Sequence, residues 1–88
     1  MDEVFKAISD KTRRKIIDLL KKREMTAGEI AEHFNVSKPT ISQHLKILKN
    51  ADLIQSEKQG KYISYFINTS ILEDFLSHLK NIFEKKEK

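Results

Sequence analysis

The 88-residue chain has no cysteine. That absence removes disulfide staples, thiolate zinc sites and cysteine nucleophiles together. Only two glycines and one proline are present, which excludes glycine-rich phosphate loops, collagen-like tracts and flexible linkers. No apolar run approaches the ~20 residues that a membrane-spanning helix needs. The opening Met1-Asp2-Glu3 is acidic where a secretory signal is basic, and no small-residue cleavage site follows. The expected location is therefore the cytoplasm, without membrane insertion. A nucleophile, a base and an orienting group cannot be assembled from any motif, so no catalytic residue and no cofactor are expected.

What the chain does contain is enough apolar residue, 39%, for one modest core. Ile, Leu, Val and Phe are spread through its length, which argues against disorder. Seventeen Lys and Arg stand against thirteen Asp and Glu, for a net charge of +4. This mild basicity favours a polyanionic partner without naming one.

Helical spacing begins with Val4, Phe5 and Ile8 in the segment Asp2 to Ser9. Asp10 is placed to cap a second helix over Lys11 to about Lys22, whose apolar face is Ile16, Ile17, Leu19 and Leu20. Lys21, Lys22 and Arg23 meet the negative end of its dipole. Thr26-Ala27-Gly28-Glu29 fits a capping box that opens a helix from Ala27 to Phe34. Asn35-Val36 supplies a tight turn. Ser37 then caps a helix reaching about Asn50, with Pro39 in its first turn and Ile41, Leu45 and Leu48 facing inward. Beyond Ala51-Asp52 the period changes to that of strands, over Leu53 to Lys58 and Lys61 to Ile67, with Gln59-Gly60 as the hairpin turn. Ile63, Tyr65 and Ile67 share one strand face, Tyr62, Ser64 and Phe66 the other. Thr69 is the expected cap of a last helix to about residue 86, and the charged tail Glu84 to Lys88 is expected to fray.

The expected architecture is mainly α with a small β-hairpin, an α+β chain. It is a winged helix-turn-helix of about five helices and a two-stranded wing, one domain over residues 1–88. Within it, 2–22 holds the amino-terminal helices, 26–50 the helix-turn-helix, 53–67 the wing and 69–86 a dimerisation helix. Charge supports this independently. Residues 24–36 carry Glu24, Glu29 and Glu32 with no Lys or Arg, whereas 37–50 carry Lys38, Lys46 and Lys49 with no acid. An acidic helix followed by a basic one is the asymmetry of a motif whose second helix alone enters the major groove of double-stranded DNA. On that helix Thr40, Gln43 and Lys46 point outward, flanked by Ser42 and His44. Gln pairs with adenine edges, Ser and Thr reach bases or phosphates, and Lys reaches guanine or phosphate. Ser37 and Lys38 at the helix start, and Lys58, Gln59 and Lys61 at the hairpin tip, complete the expected DNA-binding set.

The run Val4-Phe5-Lys6-Ala7-Ile8-Ser9-Asp10-Lys11-Thr12-Arg13-Arg14-Lys15-Ile16-Ile17 resembles the opening motif of the ArsR/SmtB family of bacterial repressors. The likeness continues through Thr26 to Phe34, through Ser37-Lys38-Pro39-Thr40-Ile41-Ser42-Gln43-His44-Leu45-Lys46-Ile47-Leu48, and through Gly60-Lys61-Tyr62-Ile63-Ser64-Tyr65. Lys11 replaces the proline usual after the aspartate. The resemblance is nearest to cysteine-free autorepressors within the family. It implies a homodimeric transcriptional repressor, built on its first and last helices, that binds an inverted repeat and regulates its own operon. The residues assigned to that interface are Val4, Phe5, Ile8, Leu72, Phe75, Leu76, Leu79, Ile82 and Phe83.

Relatives that sense metals place cysteines where this chain has Glu29-Ile30-Ala31-Glu32-His33, or Asp-x-His with a later His/Glu pair on the last helix, where the one histidine here is His78, with Leu76 two residues before it and Asp74 four before. No metal site is expected. Arg13 and Arg14 either contact phosphates or fasten the second helix through Asp10 and Asp18, with Arg13 read as structural. Two other readings stand beside the repressor. One is a winged-helix adaptor for a protein partner, including a partner that sequesters the repressor, and the other is a repressor responding to metal through a non-thiol site.

Overall fold

Helix starts are set by side-chain oxygens that meet free amides. In the computed structural model, which describes residues 1–84, helix α1 covers Asp2–Ile8 and α2 covers Lys11–Lys22. Asp10 Oδ2 accepts the Arg13 amide at 3.0 Å to start α2. Thr26 and Glu29 form the reciprocal capping box, at 3.2 Å and 2.9 Å, that starts α3, Ala27–Ala31. Ser37 Oγ accepts the Thr40 amide at 3.3 Å to start α4, Lys38–Asn50, with Pro39 in its first turn.

The α3 helix ends three residues before the expected Phe34. His33 and Phe34 donate to the carbonyls of Ile30 and Ala31, so the chain tightens into i→i−3 turns. Phe34 folds back against the core, and Lys15 Nζ lies 5.5 Å from the centre of its ring. The connection to α4 is accordingly Glu32–Ser37, longer than a three- or four-residue turn.

Helix α4 stops in a Schellman motif. Leu53 N–H donates to Leu48 O and Asp52 N–H to Lys49 O, with Asp52 at φ +62°. Aspartate is among the few side chains that tolerate this left-handed conformation.

Strands β2, Ile54–Gln59, and β3, Tyr62–Ile67, form the hairpin, in the register Gln59 opposite Tyr62. The two turn residues are therefore Gly60 and Lys61, one position later than expected. Gly60, at φ +63°, supplies the positive dihedral that two-residue hairpin turns require at their first position. A third strand adds to the expected pair: β1, Met25–Thr26, lies on the free edge of β3, giving the antiparallel order β1-β3-β2. Glu24 fastens that edge by accepting the Ser64 hydroxyl at 2.6 Å, which accounts for a buried serine on a strand otherwise lined with Tyr, Ile and Phe.

Helix α5 covers Thr69–Phe83. Its cap is Asn68, not Thr69: Asn68 Oδ1 accepts the Ile71 amide. The Asn68 amide is bonded to Leu53 O, which holds residue 68 in the sheet and lets the helix begin only after it. The expected helix limit at residue 86 and most of the expected frayed tail lie outside the described residues.

The core sits where α2, α3 and α4 meet the inner edge of the sheet. Ile16, Ile30, Ile41, Leu45, Leu48, Leu53 and Ile54 are its largest fully buried side chains. No helix among the described residues is long and apolar enough to cross a membrane.

Candidate nucleic-acid interface

Burial of Ile41, Leu45 and Leu48 fixes the rotation of α4. At about 100° per residue, Gln43 falls directly opposite that buried stripe, with Lys46 beside it. Thr40 and Ser42 lie toward the flanks, and all four are exposed. Ser37 and Lys38 are exposed at the helix start. The Ser37 and Thr40 hydroxyls also bond each other at 2.9 Å. Ile47, absent from the expected set, shares the outward face one turn beyond Gln43 and is 39% exposed. An apolar side chain there can meet a thymine methyl.

His44 is placed differently from its neighbours. Its side chain is only 18% exposed, and Nδ1 lies 3.1 Å from Arg13 Nη1. Guanidinium only donates, so a neutral ring accepts this bond at Nδ1 and carries its proton on Nε2. Asp10 Oδ2 is farther, 3.9 Å from Nδ1. Arg13 spans two elements, since its Nε donates to Ala7 O at 2.6 Å and Nη2 to Lys6 O at 3.3 Å. Arg14 Nη1 donates to Ile8 O at 2.8 Å. Both arginines thus satisfy orphan carbonyls at the end of α1. Asp18 pairs instead with Lys21, at 3.6 Å. Arg13 is structural as read from sequence, and His44 joins it in anchoring α4 to α1 and α2.

The Asp10 carboxyl lies at the other end of this node. The Arg13 amide bond lowers its pKa most, with the charges of Arg13 and His44 and the Thr12 amide adding to that, against an opposing contribution from partial burial.

The wing brings Lys58, Gln59 and Lys61 to an exposed tip. Lys61 and Lys38 line one cleft of about 220 Å³ between the tip and the start of α4, so recognition helix and wing present cations toward the same side. The acidic half of the charge asymmetry is partly engaged: Glu24 holds Ser64, and Glu29 serves the capping box and lies 3.7 Å from Arg23. His33 is exposed in the turn.

The residues assigned to a subunit interface divide into two groups. Val4 and Phe75, expected at the interface, are buried in the chain's own core, 6% and 4% exposed. Phe5 meets Phe75 edge-on at 5.1 Å. Leu76, Ile82 and Phe83 are exposed, at 56%, 55% and 80%, and Phe5 at 38%. Ile8, Leu72 and Leu79 are half-buried between the two groups. Ile8, Leu72 and Leu76 also border an apolar groove of about 280 Å³. Among the described residues, no three His, Asp or Glu side chains come together as a metal-binding group.

Comparison with known proteins adds independent findings. Residues 10–56 match the family described as bacterial regulatory protein, arsR family. The chain is 56% identical to the transcriptional repressor SdpR of Bacillus subtilis (strain 168), covering 97% of this chain and 94% of that one. It is 37% identical to the arsenical resistance operon repressor of Staphylococcus aureus, covering 93% and 79%. The ArsR-like transcriptional regulator from Rhodococcus sp. RHA1 superposes with a TM-score of 0.86 at 32% identity, covering 92% and 74%.

Proposed function

The chain belongs to the arsR family of bacterial regulatory proteins and is a transcriptional regulator, not an enzyme, and from that premise we propose that it is a homodimeric repressor that binds an inverted-repeat operator and controls its own operon. The whole chain works as one domain, in the cytoplasm. One observation carries the DNA reading: the face of α4 opposite its buried stripe presents Gln43 and Lys46, with Thr40 and Ser42 beside it. Such a face supplies both base readers and phosphate anchors. Ser37, Lys38, Lys58, Gln59 and Lys61 surround it and hold the backbone, while His44 keeps the helix in place.

The dimer reading rests on α5. Leu76, Ile82 and Phe83 remain exposed along one helix, and a twofold axis there sets two α4 helices on half-sites about one helical turn apart or a multiple of it. Val4 and Phe75 support that surface from beneath.

Selection of bound fragments from random and genomic DNA tests the function, run with and without a chelator and paired with sedimentation of the free protein. The expected result is an enriched inverted repeat, indifferent to the chelator, and a dimer that Leu76→Asp converts to monomers. No enriched sequence would overturn the DNA reading. A chelator effect would point to a metal-responsive repressor, and a wild-type monomer would assign the α5 face to another partner.

A further inference from the structure

Glycine is the poorest helix former after proline, yet Gly28 occupies the second position of α3. Its backbone does not demand glycine, because Gly60 alone among the glycines has a positive φ. Packing does not demand it either. A Cβ at residue 28 would meet Lys38 Cε and Nζ at 3.8 Å and Thr26 Oγ1 at 3.9 Å, ordinary contact distances. Alanine would fit and would favour the helix. What the missing methyl leaves open is the wall of the cleft between the wing and the start of α4.

That cleft holds two cations from separate elements, Lys38 from α4 and Lys61 from the hairpin turn, with the exposed Tyr62 beside them. Neither lysine forms an ion pair within 4 Å among the described residues. Glu29, on the same short helix as Gly28, is bound to the Thr26 amide and faces Arg23. The result is a small concave site of positive charge, where residue 28 contributes backbone alone and the Lys38 ammonium lies against it.

We propose that this cleft takes a single phosphate of the DNA backbone, shared by Lys38 and Lys61, and that residue 28 is glycine so that the phosphate can come close. The inference rests on the DNA-binding reading above. It adds a contact that fixes how far along the groove α4 sits, since phosphate contacts set register while base contacts set sequence. The cleft's position between helix and wing favours a phosphate of the same duplex over a free anion.

Two measurements test it, on the full chain with a labelled mixed-sequence duplex and with a duplex enriched by selection. First, Gly28→Ala should raise the melting temperature by about 2–6 °C while weakening both duplexes about tenfold. Higher stability with unchanged affinity would overturn the proposal and leave DNA binding intact. Failure of the wild type to bind either duplex would overturn the underlying reading as well. Second, the slope of log K against log salt falls by about 0.9 for each phosphate released. Each subunit of the proposed dimer carries one cleft, so a shared phosphate predicts small changes for Lys38→Ala and Lys61→Ala singly and a loss of about 1.8 per dimer, about 0.9 for each subunit, for the double variant. A double loss of about 3.6 per dimer would mean two separate phosphates in each subunit and sink the proposal. Inorganic phosphate at matched ionic strength should leave duplex binding unchanged; competition beyond chloride would mark a free-anion site instead.

Discussion

Helices α4 and α5 carry similar apolar periodicity and end in different states. In α4 the inward residues Ile41, Leu45 and Leu48 are 0–1% exposed. In α5 Phe75 alone is fully buried, at 4%, with Ile71, Leu72 and Leu79 half-buried against the core, while Leu76, Ile82 and Phe83 remain mostly uncovered. The same residue type therefore has two tasks. Leu45 completes the chain's own core. Leu76 leaves apolar surface whose later burial stabilises an association, by about 1.5–3 kcal/mol for each side chain fully covered. A short chain can thus fold on one set of leucines and assemble on another.

The strongest way to break this comparison is to truncate both leucines. Leu45→Ala should cost about 2–5 kcal/mol of folding stability, since it leaves a cavity in a packed interior. That loss should appear in denaturant titrations at every protein concentration. Leu76→Ala should change little at low concentration, where monomers dominate, and should remove the concentration dependence of the midpoint at high concentration. Equal, concentration-independent losses would show that α5 is finished within its own subunit.

The outward face of α4 supplies the next test. Gln43→Ala should weaken binding to the selected operator by roughly 1–3 kcal/mol and relax preference at one base position. Lys58→Ala should weaken selected and unselected duplexes alike. Fluorescence anisotropy on both duplexes separates the two outcomes. Unchanged selectivity in the Gln43 variant would mean that another face of α4 meets the bases.

How much of this was legible in the sequence depends on how local the cause is. The caps at Asp10, Thr26 and Ser37 each rest on residues within three positions, and each is found where the sequence places it. The inward stripe of α4 is equally local, being fixed by spacing. Strand β1 is different: two residues have no period, and it exists because β3 offers an edge and Glu24 reaches Ser64, forty positions away. The same holds at Asn68, whose amide is claimed by Leu53 across the sheet. His44 fits the pattern of a surface residue until Arg13 is brought beside it. In the candidate site, the identity of the outward residues was readable, and the partners that withdraw one of them from solvent were not.

The smallest expected effect concerns that same node, which ties α4 to α1 and α2 and has no counterpart on α5. Asp10 has its pKa lowered in the folded chain, first by the Arg13 amide and then by the charges of Arg13 and His44. A carboxylate whose folded value is depressed stabilises the fold above its unfolded value, near pH 3.9. That contribution is lost as pH falls through the folded value. Asp10→Asn keeps a capping oxygen, because asparagine serves the position as well as aspartate, so the melting temperature at neutral pH should fall only slightly. The charge is gone, however, and with it this residue's share of the acid sensitivity. Melting curves collected from about pH 6 down to about pH 2 should therefore converge, with the variant losing less than the wild type below about pH 4. Parallel curves would show that the carboxylate acts at α2 only as a neutral cap, leaving α4 anchored by the Arg13–His44 contact without help from Asp10.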